Sequence, residues 1–237
     1  QVSVFNHKGE KTVSAPATFE TGLLGARPFG NAKWISYEKA PLYTGTAYSI
    51  DLDFIIHRDN LGFCFGMQDA GSFVMWQINP YNGQKKDGKV LLRPHFKSGG
   101  NWTAYPGGPG NVQAIDITDA VGYTASELIG KTAHLRIEVD GRIVKTYLGK
   151  TADSLTLAST YTHSANIPLY DIGFRHSTQS GNDHEVASYD NIVVKDSHGK
   201  ILYENCFTTD TVDFAGAAPI EVQNGMLRVG TDTAAGE

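Results

Sequence analysis

From residue 48 to residue 56 every second position is apolar: Tyr48, Ile50, Leu52, Phe54 and Ile56 alternate with Ser49, Asp51 and Asp53. A period of two marks a strand with one face in a core and the other in water. The pattern returns where Ala133, Leu135, Ile137 and Val139 oppose His134, Arg136 and Glu138, and where Tyr170, Ile172 and Phe174 oppose Asp171 and Arg175. Turn signals punctuate these runs: Asp140-Gly141, Gly99-Gly100, Asn224-Gly225 and Gly107-Gly108-Pro109-Gly110. Short strands joined by turns of this chemistry predict an all-β chain, two antiparallel sheets packed as a sandwich or jelly roll. One helix is expected at 124–130, with Thr124 as cap, Glu127 completing a capping box and Gly130 ending it.

The first thirty residues have a different texture. Residues 1–5 and 12–24 read as two strands joined around His7-Lys8-Gly9, and 25–31 then break the pattern. Two strands do not make a stable domain alone. Residues 1–30 are therefore expected to be the terminal strands of an upstream domain with its linker, 31–230 the sandwich, and 231–237, which has no apolar anchor, a linker or tail.

At 237 residues the chain can bury one substantial core and a fragment of a second. With 41% hydrophobic residues, 19% charged residues and a formal charge of −5, the composition is that of an ordinary globular protein. Nucleic acid is not an expected partner, because the basic residues are scattered and the densest group, Lys85-Lys86 with Lys89, sits in a Gly-rich loop. No apolar run approaches the roughly 18 residues of a membrane helix, so no membrane partner is expected. The chain opens at Gln1 without a leader, a beginning that suits a processed exported protein or a piece of a longer one. Cys64 lies in the apolar run Leu61-Gly62-Phe63-Cys64-Phe65 and reads as a small core hydrophobe, with pairing to Cys206 left open.

Ser14-Ala15-Pro16-Ala17-Thr18-Phe19-Glu20-Thr21-Gly22-Leu23-Leu24, followed by Ala32-Lys33-Trp34-Ile35, resembles the junction after the fibronectin-type domain in bacterial α-L-rhamnosidases of glycoside hydrolase family 78. Val74-Met75-Trp76-Gln77, Leu92-Arg93-Pro94-His95, Gly100-Asn101-Trp102-Thr103, Ile172-Gly173-Phe174-Arg175 and Ala187-Ser188-Tyr189-Asp190-Asn191-Ile192 resemble the concanavalin-like jelly-roll module of the same enzymes. The likeness implies a module related to family-67 carbohydrate-binding modules, some of which hold L-rhamnose with help from calcium. It also implies a fibronectin- or Ig-like domain upstream, and a separate catalytic domain in the same polypeptide. The chain is then not itself an enzyme but a secreted or periplasmic bacterial module that binds rhamnose-containing polysaccharide or oligosaccharide. The alternative is a structural spacer packed on the catalytic barrel.

A sugar site combines an aromatic plate with polar groups that fix hydroxyls. Trp102, in the loop-like stretch Ser98-Gly99-Gly100-Asn101-Trp102, is the candidate plate, against the plainer role of packing on a loop. Trp76, mid-strand, reads as core or inter-sheet, and Trp34 as an anchor for the linker. Arg93 and His95 share one face of a strand opposite Val90, Leu92 and Phe96, and Arg175 is the polar-face member of the Arg175-His176 pair. Arg93 and His95 can instead be a solvated face or a structural Arg–carboxylate pair.

Calcium needs six to eight oxygens, and Asp59, Asn60 and Asp69, with Ser72, are the nearest candidates. The related modules contact the metal with an adjacent Asp and Asn. Alignment on Met75-Trp76-Gln77 puts Gly71 and Ser72 in their place here. Asp59-Asn60 also reads as a hairpin turn. Asp51 and Asp53 superficially look like the acids of jelly-roll glucanases, but Ser49 and Ile55 replace the flanking glutamates of that pattern, so they read as solvent-facing aspartates.

Overall fold

The alternation around Leu52 is realised as one twelve-residue strand, Ala47–Arg58, whose burial alternates along its length until the exposed Arg58. The computed structural model describes residues 3–5, 11–13, 42–80, 88–179, 183–209, 214 and 219–231. Contacts divide the chain into two units, Gln1–Lys39 and Ala40–Glu237. In the first, β1 (Ser3–Phe5) pairs antiparallel with β2 (Lys11–Val13). Residues 14–24 and Trp34 lie outside the described residues.

In the second unit the chain runs through β3 (Ala47–Arg58), β4 (Leu61–Asp69), β5 (Ser72–Asn79), β6 (Leu91–Ser98), β7 (Asn101–Ala104) and β8 (Ile115–Asp116). Two short helices follow, α1 (Thr118–Val121) and α2 (Ala125–Leu128). Then come β9 (Thr132–Asp140), β10 (Ile143–Gly149), β11 (Thr156–Thr162), β12 (Gly173–Arg175), β13 (Thr178–Gln179) and β14 (Asp183–His184). The last strands are β15 (Val186–Asp196), β16 (Ile201–Asn205), β17 (Ile220–Gln223) and β18 (Met226–Val229).

All of these strands except β13 and β14, which pair with each other, form an antiparallel jelly-roll sandwich. One sheet has eight strands in the order β11-β10-β9-β3-β15-β18-β17, with β16 also on β15; the other has six, β12-β4-β5-β6-β7, with β8 beside β6. The alternating apolar residues meet between the sheets: Ile50, Leu52 and Phe54 of β3 and Leu135 and Ile137 of β9 share one buried cluster with Phe63, Phe65, Trp76 and Leu92 of the opposite sheet. Trp76, expected in the core, is fully buried there and donates its indole N–H to Thr146 Oγ1 of β10 at 2.7 Å. That bond satisfies the one polar atom of the largest buried side chain across the sandwich.

Two local readings change. β3 and β4 lie in different sheets, so Asp59-Asn60 is the corner at which the chain changes sheet and not a hairpin turn. Asp59 takes φ +57 there, a conformation that Asp tolerates better than most residues. Trp102 stands on the short strand β7 beside β6 and not in a loop. The expected cap at Thr124 is present: the Glu127 carboxylate accepts the Thr124 N–H at 2.9 Å and its hydroxyl at 2.7 Å. Both cysteines are free, Cys64 buried and Cys206 exposed. Among the described residues no helix is long and apolar enough to cross a membrane.

Candidate functional site

Strand pairing in the six-stranded sheet lines up one row across four strands: Arg175 of β12 opposes Gly62 of β4, Gly62 opposes Gln77 of β5, and Gln77 opposes Arg93 of β6. Facing residues of a pleated sheet point to the same side, here the side away from the sandwich core. The neighbouring row is Gly173, Cys64, Met75 and His95, and the next brings Phe73, Lys97 and Trp102 together at the β7 edge. Cys64, read from sequence as a small core hydrophobe, is buried and free, on this side of its sheet.

Glycine at position 62 makes the first row possible. A Cβ there would stand 2.7 Å from Arg175 Cβ and 3.0 Å from Met75 Sδ, so only a bare backbone lets Arg175 lie across the sheet. Arg175 Nη1 then reaches Glu185 Oε1 at 3.0 Å. Gln77 Nε2 donates to the same oxygen at 3.4 Å, while Gln77 Oε1 accepts Arg93 Nη1 at 3.2 Å. Arg93 Nη2 donates to the Pro106 carbonyl at 3.4 Å.

Beside this polar row lies an aromatic group. Trp102, 37% exposed, meets Phe73, His95 and Tyr105 edge-on, with ring centroids 5.8, 5.6 and 6.3 Å away. Lys97 Nζ lies 5.5 Å from the indole centroid, and His95 stacks parallel to Tyr105 at 5.7 Å. Burial pushes the His95 imidazole down to about 4, against the hydrogen bond to the Arg93 carbonyl, which raises it. His95 is therefore neutral at physiological pH. Its Nδ1, 2.9 Å from that carbonyl, is the donor, which leaves Nε2 an acceptor. The four residues expected from sequence, Trp102, Arg93, His95 and Arg175, thus share one face. Gln77, Glu185, Phe73, Lys97 and Tyr105 complete it.

The metal candidates do not converge. Asp59 and Asn60 immediately precede β4 and Asp69 ends it, roughly 20–25 Å apart at strand rise. Asp69 Oδ1 already accepts the Gly71 N–H at 2.6 Å. Asp59-Asn60 and Asp69 with Ser72 are therefore two separate places and not one cage, and among the described residues no three His, Cys, Asp or Glu side chains are grouped to hold a metal.

Asp51 and Asp53 do project from the outer face of the eight-stranded sheet, yet they are not simply solvated. His134 Nδ1 contacts Asp53 Oδ1 at 2.7 Å and its Nε2 contacts Asp51 Oδ1 at 3.3 Å. Arg136 Nε donates to Asp51 Oδ1 at 2.6 Å, and Asn191 Nδ2 donates to Asp53 Oδ2 at 2.8 Å. Burial lowers the His134 pKa, but the two carboxylates outweigh it and push the imidazole up to about 9. Both aspartates are held below the usual carboxylate range: Asp53 by the His134 hydrogen bond first, Asp51 by His134 and Arg136 against the opposing effect of burial. The cluster floors a cleft of about 460 Å³. Each carboxylate is committed to cations or amides, so neither is poised as a general acid.

Fold and face together define a two-sheet jelly roll with an aromatic and guanidinium-bearing surface on one sheet. No protein-family model matches the chain. No curated protein matches it. Among solved structures, a carbohydrate-binding module CBM66 from Bacillus subtilis is similar at 16% identity and TM-score 0.39, covering 63% of this chain and 75% of that one. A galectin, LEC-6 from Caenorhabditis elegans, is 10% identical with TM-score 0.37, covering 64% and 84%. A tetrameric galectin from the sponge Cinachyrella sp. is also 10% identical with TM-score 0.37, covering 63% and 92%.

Proposed function

We propose that the outer face of the six-stranded sheet binds carbohydrate, and that the chain is a non-catalytic module of a larger exported bacterial glycosidase of the α-L-rhamnosidase kind. The ligand is a rhamnose-containing polysaccharide or oligosaccharide, and binding keeps the catalytic domain of the same polypeptide near its substrate by raising effective concentration. The observation that carries this reading is the exposed Trp102, set among His95, Tyr105 and Lys97 on the same face as a row of side-chain donors, Arg93, Gln77 and Arg175. An indole covers the apolar face of a pyranose, while guanidinium and amide groups take its hydroxyls. Asp51 and Asp53, each tied into the His134 and Arg136 cluster, support the non-catalytic part.

A second reading, a spacer that binds no sugar, is favoured by the β4–β5 hairpin end. There the Asp69 carboxylate is spent on Gly71 N–H and the Gly71 carbonyl on Gly100 N–H at 2.9 Å. Calorimetric titration of the whole chain with L-rhamnose, with and without calcium, separates the two. Binding that weakens about tenfold or more in Trp102→Ala supports the sugar face. Silence in every condition supports the spacer, and release of reducing sugar by the chain alone contradicts both. Dependence on calcium would require an ion held by oxygens other than a cage of Asp59, Asn60 and Asp69.

A further inference from the structure

Glu185 precedes β15 with its side chain only 3% exposed. Its Oε1 is the shared acceptor for Arg175 and Gln77, and Gln77 accepts from Arg93, which the Pro106 carbonyl also holds, so one oxygen anchors Arg175 directly and Arg93 through Gln77. Its Oε2 is buried with no hydrogen-bond partner among the described residues, and so is Asn60 Oδ1 at the corner beside it. A buried carboxylate oxygen without a donor is the atom at which a proton is best accommodated.

We propose that Glu185 is the positioning residue of this face and its proton the switch: ionised, it aligns Arg175 and, through Gln77, Arg93; protonated at Oε2, it releases Arg175. The inference rests on the sugar-face reading for its ligand, but the titration itself does not. Burial pushes the carboxyl up to about 6, against the charge of Arg175, the hydrogen bond from Gln77 and the nearby Asn60 amide and Ser177 N–H. The groups facing it are Arg175 of β12, Gln77 of β5, Asn60 of the corner, Cys64 of β4 and Tyr189 of β15. Burial pushes the Cys64 thiol up to about 12 and the Tyr189 phenol well above its usual range, so both stay neutral between pH 5 and pH 8. Arg175 is then the charge that answers Glu185. His176 lies beside the Glu185 carbonyl at Gly230, and its titration is followed separately.

Two measurements on the whole chain test the switch. Carbon-detected NMR of the Glu185 carboxyl, read together with the Arg175 Nε–H resonance, should give one common midpoint near pH 6. Calorimetry with L-rhamnose should then show affinity rising about tenfold between pH 5 and pH 7.5, the ratio of the ionised fractions. Glu185→Gln, the same shape without the charge, should bind as weakly as wild type at pH 5 and equally at both pH values, with its near-ultraviolet circular dichroism unchanged. An Arg175 resonance that stays still while Glu185 titrates overturns the proposal, as does a variant that keeps the wild-type pH profile. If L-rhamnose binds at no pH, the sugar reading falls, and the shared or separate midpoints of Glu185 and Arg175 still decide the switch.

Discussion

Gly62 shows how much a missing side chain can decide. Because its bare backbone gives Arg175 a path across the sheet, Gly62→Ala is expected to displace that guanidinium, to destabilise the fold by about 1–3 kcal/mol through overpacking, and to weaken sugar binding. Chemical denaturation and calorimetry on one preparation measure both effects, and an alanine variant with unchanged affinity would show that Arg175 need not lie there. His134 carries a pH prediction of its own. Its pKa is raised from 6.5 to about 9 in the fold, so its protonated form stabilises fully below about pH 6.5, and the contribution is lost as pH rises through about 9. Asp51 and Asp53, lowered in the fold, contribute above the carboxylate range and lose that contribution in acid. Denaturation across pH 6 to 10 should show stability falling by on the order of 1–2 kcal/mol, a slope that His134→Gln flattens.

At the level of strands, the sandwich depends on a polar contact inside an apolar layer. Thr146 is the acceptor for the buried Trp76 indole, and Thr146→Val keeps the shape but leaves that N–H without a partner, at a cost of about 1–3 kcal/mol. Urea denaturation measures it; a variant as stable as wild type would mean that the sheets gain nothing from this bond. The same level explains what the sequence made legible. Alternation assigns a residue to one face of its own strand, which is why Arg93 and His95, two positions apart on β6, could be placed together. It does not give register between distant strands, so the row from Arg175 through Gly62 and Gln77 to Arg93 was out of reach, as was the pairing of Asp51 and Asp53 with His134 and Arg136. Tight-turn chemistry misled at Asp59-Asn60, because the same residues that close a hairpin also turn a corner between sheets. The glycines before Trp102 made β7 look like a loop. Glu185 follows a stretch with no periodicity and gave no signal at all.

Taken as a whole, the sandwich presents two unlike outer faces. On the eight-stranded sheet the charges neutralise one another in the His134 cluster, and the face is built for stability. On the six-stranded sheet two guanidinium groups share a face with an exposed indole, the face to which sugar binding is proposed. Titration of the whole chain with L-rhamnose at pH 7.5, beside Trp102→Ala, tests that difference most directly. Saturable binding to wild type that falls about tenfold or more in the variant is the expected result. Saturable binding that Trp102→Ala leaves unchanged, or no binding to wild type at all, would contradict it.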